Sequence, residues 1–189
     1  MGVASGFMHD ACAVHLELWD EGDLPLLESL NAPEMKLHLG GPESSEKVAD
    51  RQRRYQQMPA HEGRAFKVVD DATGTAVGSV LYWDREWRDE DVFEIGWAVL
   101  PEFQGRGIAT AAVTEGIVRA RSDGRHPHMY AFPSVDNVAS NAVCRKTGFT
   151  VIGECDFEYP KGSLLRCNEW RHDLATALAM EGGDGESSR

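Results

Sequence analysis

Positive charge is scarce in this sequence. Its 189 residues include 19 Lys and Arg against 31 Asp and Glu, which gives a net charge of −12. Nucleic-acid binding needs clustered basic side chains to neutralise phosphates, so the composition argues against nucleic acid as a partner. An acidic surface favours cationic amines electrostatically, although the need for solubility explains the same charge.

Long apolar runs are also missing. No stretch of about 18 apolar residues exists, and the N-terminus has no basic region followed by an apolar segment. The sequence therefore predicts neither a membrane span nor a signal peptide. We expect a cytoplasmic protein.

Metal-binding patterns are absent as well. The four cysteines form no C-x-x-C pair, and the seven histidines include no H-E-x-x-H. We expect reduced thiols and no metal site. His126 and His128 share one face of a predicted strand, but exposed or hydrogen-bonded histidines explain them without a metal.

The most informative segment is a strand that leads into a helix. From 92 to 100 the side chains alternate between two faces, as a β-strand requires. One face carries Phe93, Ile95, Trp97 and Val99, and the other carries Val92, Glu94, Gly96, Ala98 and Leu100. Pro101 ends the strand. A glycine-rich turn at 104–107 follows, and an apolar stripe predicts a helix over 108–121.

This turn predicts a phosphate-binding site. A helix start leaves several backbone N–H groups unpaired and adds the positive end of the helix dipole, and glycines let an anion come close. The turn lacks the G-x-x-x-x-G-K-[ST] of nucleoside triphosphate loops and the third glycine of the dinucleotide fingerprint. An ordinary glycine turn before a surface helix is the alternative.

Gln104, Gly107 and Ala109 match the pattern [QR]-x-x-G-x-[GA], and here the chain resembles the GCN5-related N-acetyltransferase (GNAT) superfamily. The resemblance implies an α/β (α+β) fold with a mixed, mostly antiparallel sheet flanked by helices. It implies acetyl-CoA as co-substrate, with the backbone at Val99 and Leu100 pairing with its pantetheine arm. The pyrophosphate would be held by Gln104, Gly105, Arg106, Gly107, Ile108 and Ala109.

The remaining sequence predicts one domain over 11–178, with disordered ends at 1–10 and 179–189. Periodicity and turn signals predict helices over 20–30, about 42–57 and 137–147. They predict strands over 13–19, 65–69, 75–83, 128–132, 149–155 and 164–174, and an acidic loop over 84–91. Gly148 followed by Phe149 predicts a left-handed helix C-cap.

The segment from Asn137 to Phe149 resembles the RimJ/RimL-like branch of the superfamily. That resemblance makes Ser140 a candidate to assist the departing thiolate. Many other acetyltransferases have a tyrosine where this chain has Cys144, which is better explained as a small core residue. Asn137 is a predicted N-cap and a candidate ligand contact, and Ser140 is alternatively just a first-turn helix residue.

Two carboxylates are candidate general bases. Glu94 shares a strand face with small residues that leave room for a ligand. Glu158 lies in an acidic-aromatic turn that resembles the turn which RimL-type enzymes place beside the acceptor. Each has a structural alternative, as a solvent-facing strand acid and as a turn acid before proline.

These observations predict an N-acetyltransferase that passes an acetyl group directly to a primary amine, on a protein N-terminus or a small molecule. The alternatives are an enzyme with another acyl-CoA or acceptor, and a non-catalytic CoA-binding module. Two stretches are candidate linings of the acceptor site, the segment 39–42 and the aromatic and acidic residues of 82–91. We expect a monomer or homodimer.

Overall fold

The computed structural model describes residues 13–159 and 162–175. These residues form a seven-stranded sheet with the order β1-β2-β3-β4-β5-β7-β6. The strands are β1 (Val14–Leu18), β2 (Gly63–Asp70), β3 (Thr75–Trp87), β4 (Glu90–Val99), β5 (His128–Ala131), β6 (Thr150–Glu158) and β7 (Leu164–Asp173). Neighbouring strands are antiparallel except for β4 and β5, which are parallel.

The helices are α1 (Leu24–Ser29), α2 (Ser45–Gln57), α3 (Ile108–Asp123) and α4 (Val138–Lys146). Short 3₁₀ helices occupy Glu21–Asp23, Pro33–Lys36 and Pro101–Phe103. A mixed, mostly antiparallel sheet flanked by helices confirms the predicted fold class. The predicted disordered ends lie outside the described residues, and the domain limits of 11–178 stay a prediction. No helix of the described residues combines the length and apolar character that a membrane crossing needs.

Two apolar clusters lie on opposite faces of the sheet. The larger packs α3 and α4 against β1 to β5 and β7, with Val80, Phe93, Ile95 and Met129 among its buried members. The smaller packs α1 and α2 against the other face of β2 to β4. Burial of this apolar area is the main force that holds the helices to the sheet.

The alternation predicted for β4 is confirmed by these clusters. Phe93, Ile95 and Val99 belong to the α3 side, whereas Ala98 and Leu100 pack on the α1 and α2 side. Because side chains alternate along a strand, Glu94 faces the α1 and α2 side as well. This places the candidate base on the face opposite α3.

The predicted loop over 84–91 is wrong. β3 and β4 continue through this segment and pair as far as Trp87 with Glu90. Arg88 and Asp89 alone form the turn, with φ values of 53° and 63°. Two consecutive left-handed residues make a turn whose twist matches that of the paired strands. The charged residues hid this hairpin because they keep one face of the extended strands in water.

The predicted helix over 20–30 is also divided. Asp20 caps a 3₁₀ turn by accepting a hydrogen bond from the Gly22 N–H at 2.7 Å, and α1 then begins at Leu24. Pro25 has no N–H and fits only the first turn of an α-helix. The helix therefore restarts just before this proline.

The predicted cap at Gly148 is confirmed. Gly148 has φ of 83°, and the Phe149 N–H donates to the Cys144 carbonyl at 3.0 Å. This backbone bond, with the buried Phe149 ring behind the helix end, is the arrangement that glycine permits at a helix C-terminus. It fixes the end of α4 and the start of β6.

Gly78 permits close contact between β3 and β4, and Gly78→Ala should destabilise the protein. A Cβ at this position would lie 2.3 Å from the Ala98 carbonyl oxygen and 3.1 Å from the Val99 Cα. Both are backbone atoms that cannot rotate away, so we expect a loss of about 1–3 kcal/mol in the free energy of unfolding, or more. Urea denaturation measures this loss. Gly153→Ala is the control, since a Cβ there meets nothing within 4 Å; equal stability of the two variants would contradict the prediction.

Candidate functional site

The sheet opens between β4 and β5. The two parallel strands pair only at Phe93 with Met129 and at Glu94 with Tyr130. The rest of β4, from Ile95 to Val99, pairs with β3 alone. The strands therefore separate beyond Glu94 and leave a gap with a free strand edge on the β4 side.

Backbone groups along this edge are available to an extended ligand. The Leu100 N–H donates to the Val77 carbonyl at 2.9 Å, so it faces β3. Because backbone groups alternate between the two sides of a strand, those of Val99 and Trp97 face the gap. The Val99 carbonyl accepts from Gln104 Nε2 at 2.8 Å. Pairing of Val99 and Leu100 with a ligand stays a prediction. The Leu100 N–H is not available for it, because this group donates to Val77.

The glycine-rich turn presents a run of unpaired donors. Gln104 N–H donates to Pro101, and the first N–H bonded inside α3 is that of Ala111, to the Gly107 carbonyl. Between them, the backbone N–H groups of residues 105–110 have no acceptor among the described residues. Gly107 is the left-handed N-cap of α3 and makes no side-chain cap. Six free donors at the N-terminus of a 16-residue helix are the arrangement that favours an anion, and binding of a phosphate group here stays a prediction.

The side chains of this turn contribute unequally. Arg106 is exposed, donates to the Glu102 carbonyl at 2.8 Å and lies 5.2 Å from the Phe103 ring centre, so its charge stays beside the free donors. Ile108 is buried in the core, and Ala109 is half-buried. These two residues anchor the helix and offer an anion only their backbone N–H groups.

Glu94 is a buried carboxylate next to the gap. Glu94 is 8% exposed, and its Oε2 accepts a hydrogen bond from Arg85 Nη1 at 2.5 Å. Burial raises the pKa of Glu94 above its ordinary value, because the charged form loses hydration, and the positive charge of Arg85 opposes this shift. Glu94 therefore binds a proton more readily than a solvent-exposed glutamate does.

Arg85 is itself held by aromatic rings. Its Cζ lies 4.5 Å from the ring centre of Phe157, 5.5 Å from that of Trp87 and 5.6 Å from that of Phe132. The Trp87 indole in turn donates to Glu169 Oε1 at 3.0 Å, and Glu169 is 1% exposed. β3, β5, β6 and β7 thus build one wall that holds a cation against aromatic faces. Part of the predicted lining at 82–91 lies in this wall.

α4 places three of the predicted residues. Asn137 is its N-cap, as predicted, and its side chain accepts from the Ser140 N–H at 3.0 Å. The Ser140 side chain is half-buried and has no hydrogen-bond partner among the described residues. Cys144 is fully buried, and burial raises the pKa of its thiol to about 12. The interpretation of Cys144 as a core residue agrees with this burial.

Glu158 is exposed, and its side chain already accepts a hydrogen bond. Its Oε1 accepts from the Gly162 N–H at 2.8 Å. A catalytic role for Glu158 stays a prediction. Within residues 13–159 and 162–175, no group of three or more His, Cys, Asp or Glu side chains is placed to hold a metal ion.

The sequence places this site in a known family. A family model of the acetyltransferase (GNAT) domain matches residues 13–150, which is most of the chain. This chain is a GNAT acetyltransferase. The free strand edge, the unpaired donors of the turn and the absence of a side-chain cap on α3 fit a phosphate-bearing acyl donor such as acetyl-CoA.

Solved structures with the same fold are numerous. Aminoglycoside acetyltransferase AAC(6')-Ib in complex with coenzyme A matches with 20% identity and a TM-score of 0.69, over 85% of this chain and 95% of that one. Spermidine N-acetyltransferase from Vibrio cholerae, with CoA and spermine, matches with 18% identity and a TM-score of 0.71, over 87% and 98%.

RimL, a ribosomal L7/L12 alpha-N-protein acetyltransferase in complex with coenzyme A, matches with 20% identity and a TM-score of 0.68, over 85% and 93%. No significant match was found among curated proteins. At these identities the structural likeness shows the GNAT fold alone.

Sequence reasoning missed two members of this GNAT site. The sequence predicts a loop at Arg85 and gives no signal for Glu169. The contact of Arg85 with Glu94 depends on the β3–β4 register, and the contact of Glu169 with Trp87 joins residues that are 82 positions apart in the sequence. The run of alternating charges and tryptophans at 83–87 was the one signal that a strand continues there.

Ser140→Ala should lower turnover roughly tenfold, because one hydrogen bond to a developing thiolate is worth about 1.5 kcal/mol. Acetyl-CoA-dependent thiol release measures this rate, and acetyl-CoA affinity should change little. Ser122→Ala is the matched control, since Ser122 is a helix serine whose hydroxyl donates to the Val118 carbonyl. Undiminished turnover in Ser140→Ala would end the proposed role of this serine.

Proposed function

We propose that this GNAT acetyltransferase transfers the acetyl group of acetyl-CoA directly to a primary amine, without a covalent enzyme intermediate. The observation that carries the proposal is the continuous path from the free edge of β4 to the six unpaired N–H groups of the turn. Gln104, Gly105, Arg106, Gly107, Ile108 and Ala109 would hold the pyrophosphate. Val99 would pair with the pantetheine arm as an added strand.

In this reaction the amine nitrogen attacks the thioester carbonyl carbon, the carbon–sulfur bond breaks and the thiolate leaves. Glu94 would accept the proton that the amine loses, directly or through one water molecule. Ser140, with an unpaired hydroxyl, would donate a hydrogen bond to the departing thiolate. Asn137 is a candidate contact to the CoA arm, since its side-chain Oδ1 accepts at the N-cap while its side-chain NH₂ group has no acceptor in the described part of the chain.

The proposed acceptor is a primary amine, and the two classes to test are protein N-termini and small-molecule amines. Likeness to the RimJ/RimL branch favours a protein N-terminus, and the structural neighbours include proteins described as acting on a ribosomal protein, on spermidine and on aminoglycosides. We propose membership of that branch and a cytoplasmic location, as the sequence predicted. A monomer or homodimer remains the expected state.

One observation favours a second candidate, a CoA-binding module without catalysis. Cys144 stands where many acetyltransferases have a tyrosine, and its thiol is fully buried, which raises its pKa to about 12. Ser140 would have to replace that tyrosine. An enzyme that uses a longer acyl-CoA is the third alternative.

The deciding experiment measures acetyl-CoA-dependent release of free thiol with pools of N-terminal peptides, polyamines and aminoglycosides. Mass spectrometry of the active pool should show the gain of one acetyl group on one amine. Competition among acyl-CoAs of different chain length then tests the donor. Binding of acetyl-CoA by calorimetry with no turnover in any pool would favour the module, and failure to bind CoA would exclude both.

A further inference from the structure

A lysine is buried without a partner in the connection between α1 and α2. Lys36 is 8% exposed, and its Nζ makes no hydrogen bond or ion pair with the described part of the chain. Its Nζ is not fully enclosed, but a lysine with so little exposure normally has a carboxylate partner, because the ammonium loses part of its hydration. Here burial, together with the nearby charge of Arg51, lowers the pKa of Lys36.

Lys36 lines a cavity of about 180 Å³. Gly40, Gly41, Ser44 and Lys47 form other parts of its wall, and Tyr159 closes it from the end of β6. The predicted lining at 39–42 therefore does border a cavity. The walls combine two lysines with a pair of left-handed glycines, and Leu39 and Pro42 complete them.

The charges around this cavity leave a positive excess. Glu43 also lines it, but its Oε1 already accepts from Arg51 Nη2 at 2.5 Å. Arg51 donates in addition to the Tyr159 hydroxyl at 2.9 Å, which ties α2 to the end of β6. Three cations, Lys36, Lys47 and Arg51, therefore face one carboxylate in a protein whose net charge is −12. A positive cavity in so acidic a chain calls for an anion.

The cavity lies on the same side of the sheet as Glu94. Met35 is the residue before Lys36. Its Sδ lies 3.8 Å from Gln104 Nε2, and its side chain packs in the cluster that contains Ala98 and Leu100. The Pro33–Lys36 helix thus lies beside the end of β4, where the sheet opens. An acceptor that enters from this side meets the cavity and Glu94 on one face.

We propose that this cavity binds a carboxylate of the acceptor, so that the substrate is an amine that also carries an acidic group. The inference rests on the proposed function, since the same acceptor presents its amine to Glu94. Lys36 supplies the charge-assisted hydrogen bond and Lys47 a second cation at the mouth. Acceptors that carry only positive charge, such as polyamines, lack a group for this cavity.

The test compares matched acceptors that differ in charge alone. One pair is a peptide that begins Ser-Glu-Glu and its Ser-Gln-Gln counterpart, and the other pair is 4-aminobutyrate and its amide. Wild-type enzyme should favour the acidic member of a pair about tenfold in kcat/KM, through KM. Turnover of the peptide pair assigns the carboxylate to a protein N-terminus, and turnover of the second pair assigns it to a small molecule.

Lys36→Met keeps the length of the side chain and removes its charge. It should abolish the preference by raising KM for the acidic acceptor about tenfold. The kcat for that acceptor, and kcat/KM for the neutral amide acceptor, should stay within about twofold of wild type. The variant should also unfold at a higher temperature than wild type, because an unpaired buried charge is gone. Arg53→Met is the control, since Arg53 is an exposed α2 residue paired with Asp50.

Lys47→Gln gives an independent test at the exposed edge of the same cavity, with a smaller loss of the preference expected. Equal kcat/KM for the acidic and neutral members of both pairs in wild type would overturn the proposal, and so would turnover of spermidine with neither acidic acceptor. Both results leave amine acetylation intact. Absence of turnover with every amine instead refutes the proposed function, and this inference falls with it.

Discussion

Glu94→Gln should lower kcat about 100-fold while acetyl-CoA affinity stays within about twofold of wild type. The amide has the same shape and can still accept from Arg85, but it cannot take the proton that the attacking amine loses. Because Glu94 is on the face opposite α3 and the turn at 104–107 follows the far end of β4, the change leaves the CoA site intact. Thiol release and calorimetry measure the two quantities separately.

The dependence of kcat/KM on pH tests whether Glu94 is the base. Its pKa lies above the ordinary value for glutamate, mainly because of burial. Glu94 is active as a base when ionised, so wild-type kcat/KM should be full above this raised pKa and should fall as the pH drops through it. Glu94→Gln should lose that acidic limb. Glu90→Gln, an exposed change on the same strand, should keep both the limb and the rate; unchanged turnover in Glu94→Gln would remove Glu94 from the mechanism.

Gly107→Asp should weaken acetyl-CoA binding roughly 30- to 100-fold. The new carboxylate stands at the N-cap of α3, among the unpaired N–H groups that we assign to the pyrophosphate. Two like charges about 5 Å apart, at an effective dielectric of about 20, repel by roughly 3 kcal/mol before screening by salt. The carboxylate would also accept hydrogen bonds from the donors that the pyrophosphate needs. Calorimetry at two salt concentrations measures the loss, which should shrink at high salt.

Gly74→Asp is the matched control for that variant. Gly74 has φ of 67°, close to the 85° of Gly107, and a Cβ at either glycine meets nothing within 4 Å. Both variants therefore pay a similar cost for a left-handed Asp and add the same charge to the chain. Gly74 lies in the β2–β3 turn, so acetyl-CoA affinity should be unchanged there. Equal losses in the two variants would show that the turn at 104–107 does not bind the pyrophosphate.

Lys36 and Glu94 show that two opposite charges are kept buried on one face of this protein. Glu94 is stabilised by Arg85, whereas Lys36 has no partner in the described residues. Burial of a charge reduces stability, and the carboxylate of the proposed acceptor would supply the partner that Lys36 lacks. Together they would orient an acceptor that has an amine at one end and a carboxylate at the other.

The sequence by itself determined the elements whose signals are local. Alternation over 92–100, Pro101 and the glycines at 105 and 107 predicted β4, its end and the start of α3, because each depends on neighbouring residues alone. Gly148 with Phe149 fixed the end of α4 for the same reason. The order of strands and helices followed, and with it the position of the glycine-rich turn, whereas the fold class came from the resemblance to the GNAT superfamily.

Only the tertiary structure decided which side chains meet. Charged residues concealed the β3–β4 hairpin, because extended strands with a wet face look like a loop in sequence. The pairing of Arg85 with Glu94 follows from the register of that hairpin, and the rings around Arg85 come from strands far apart in the chain. The burial of Lys36 depends on α2 and on the end of β6, which close over it only when the whole sheet is assembled. Long-range contacts of this kind leave no periodic trace in the sequence.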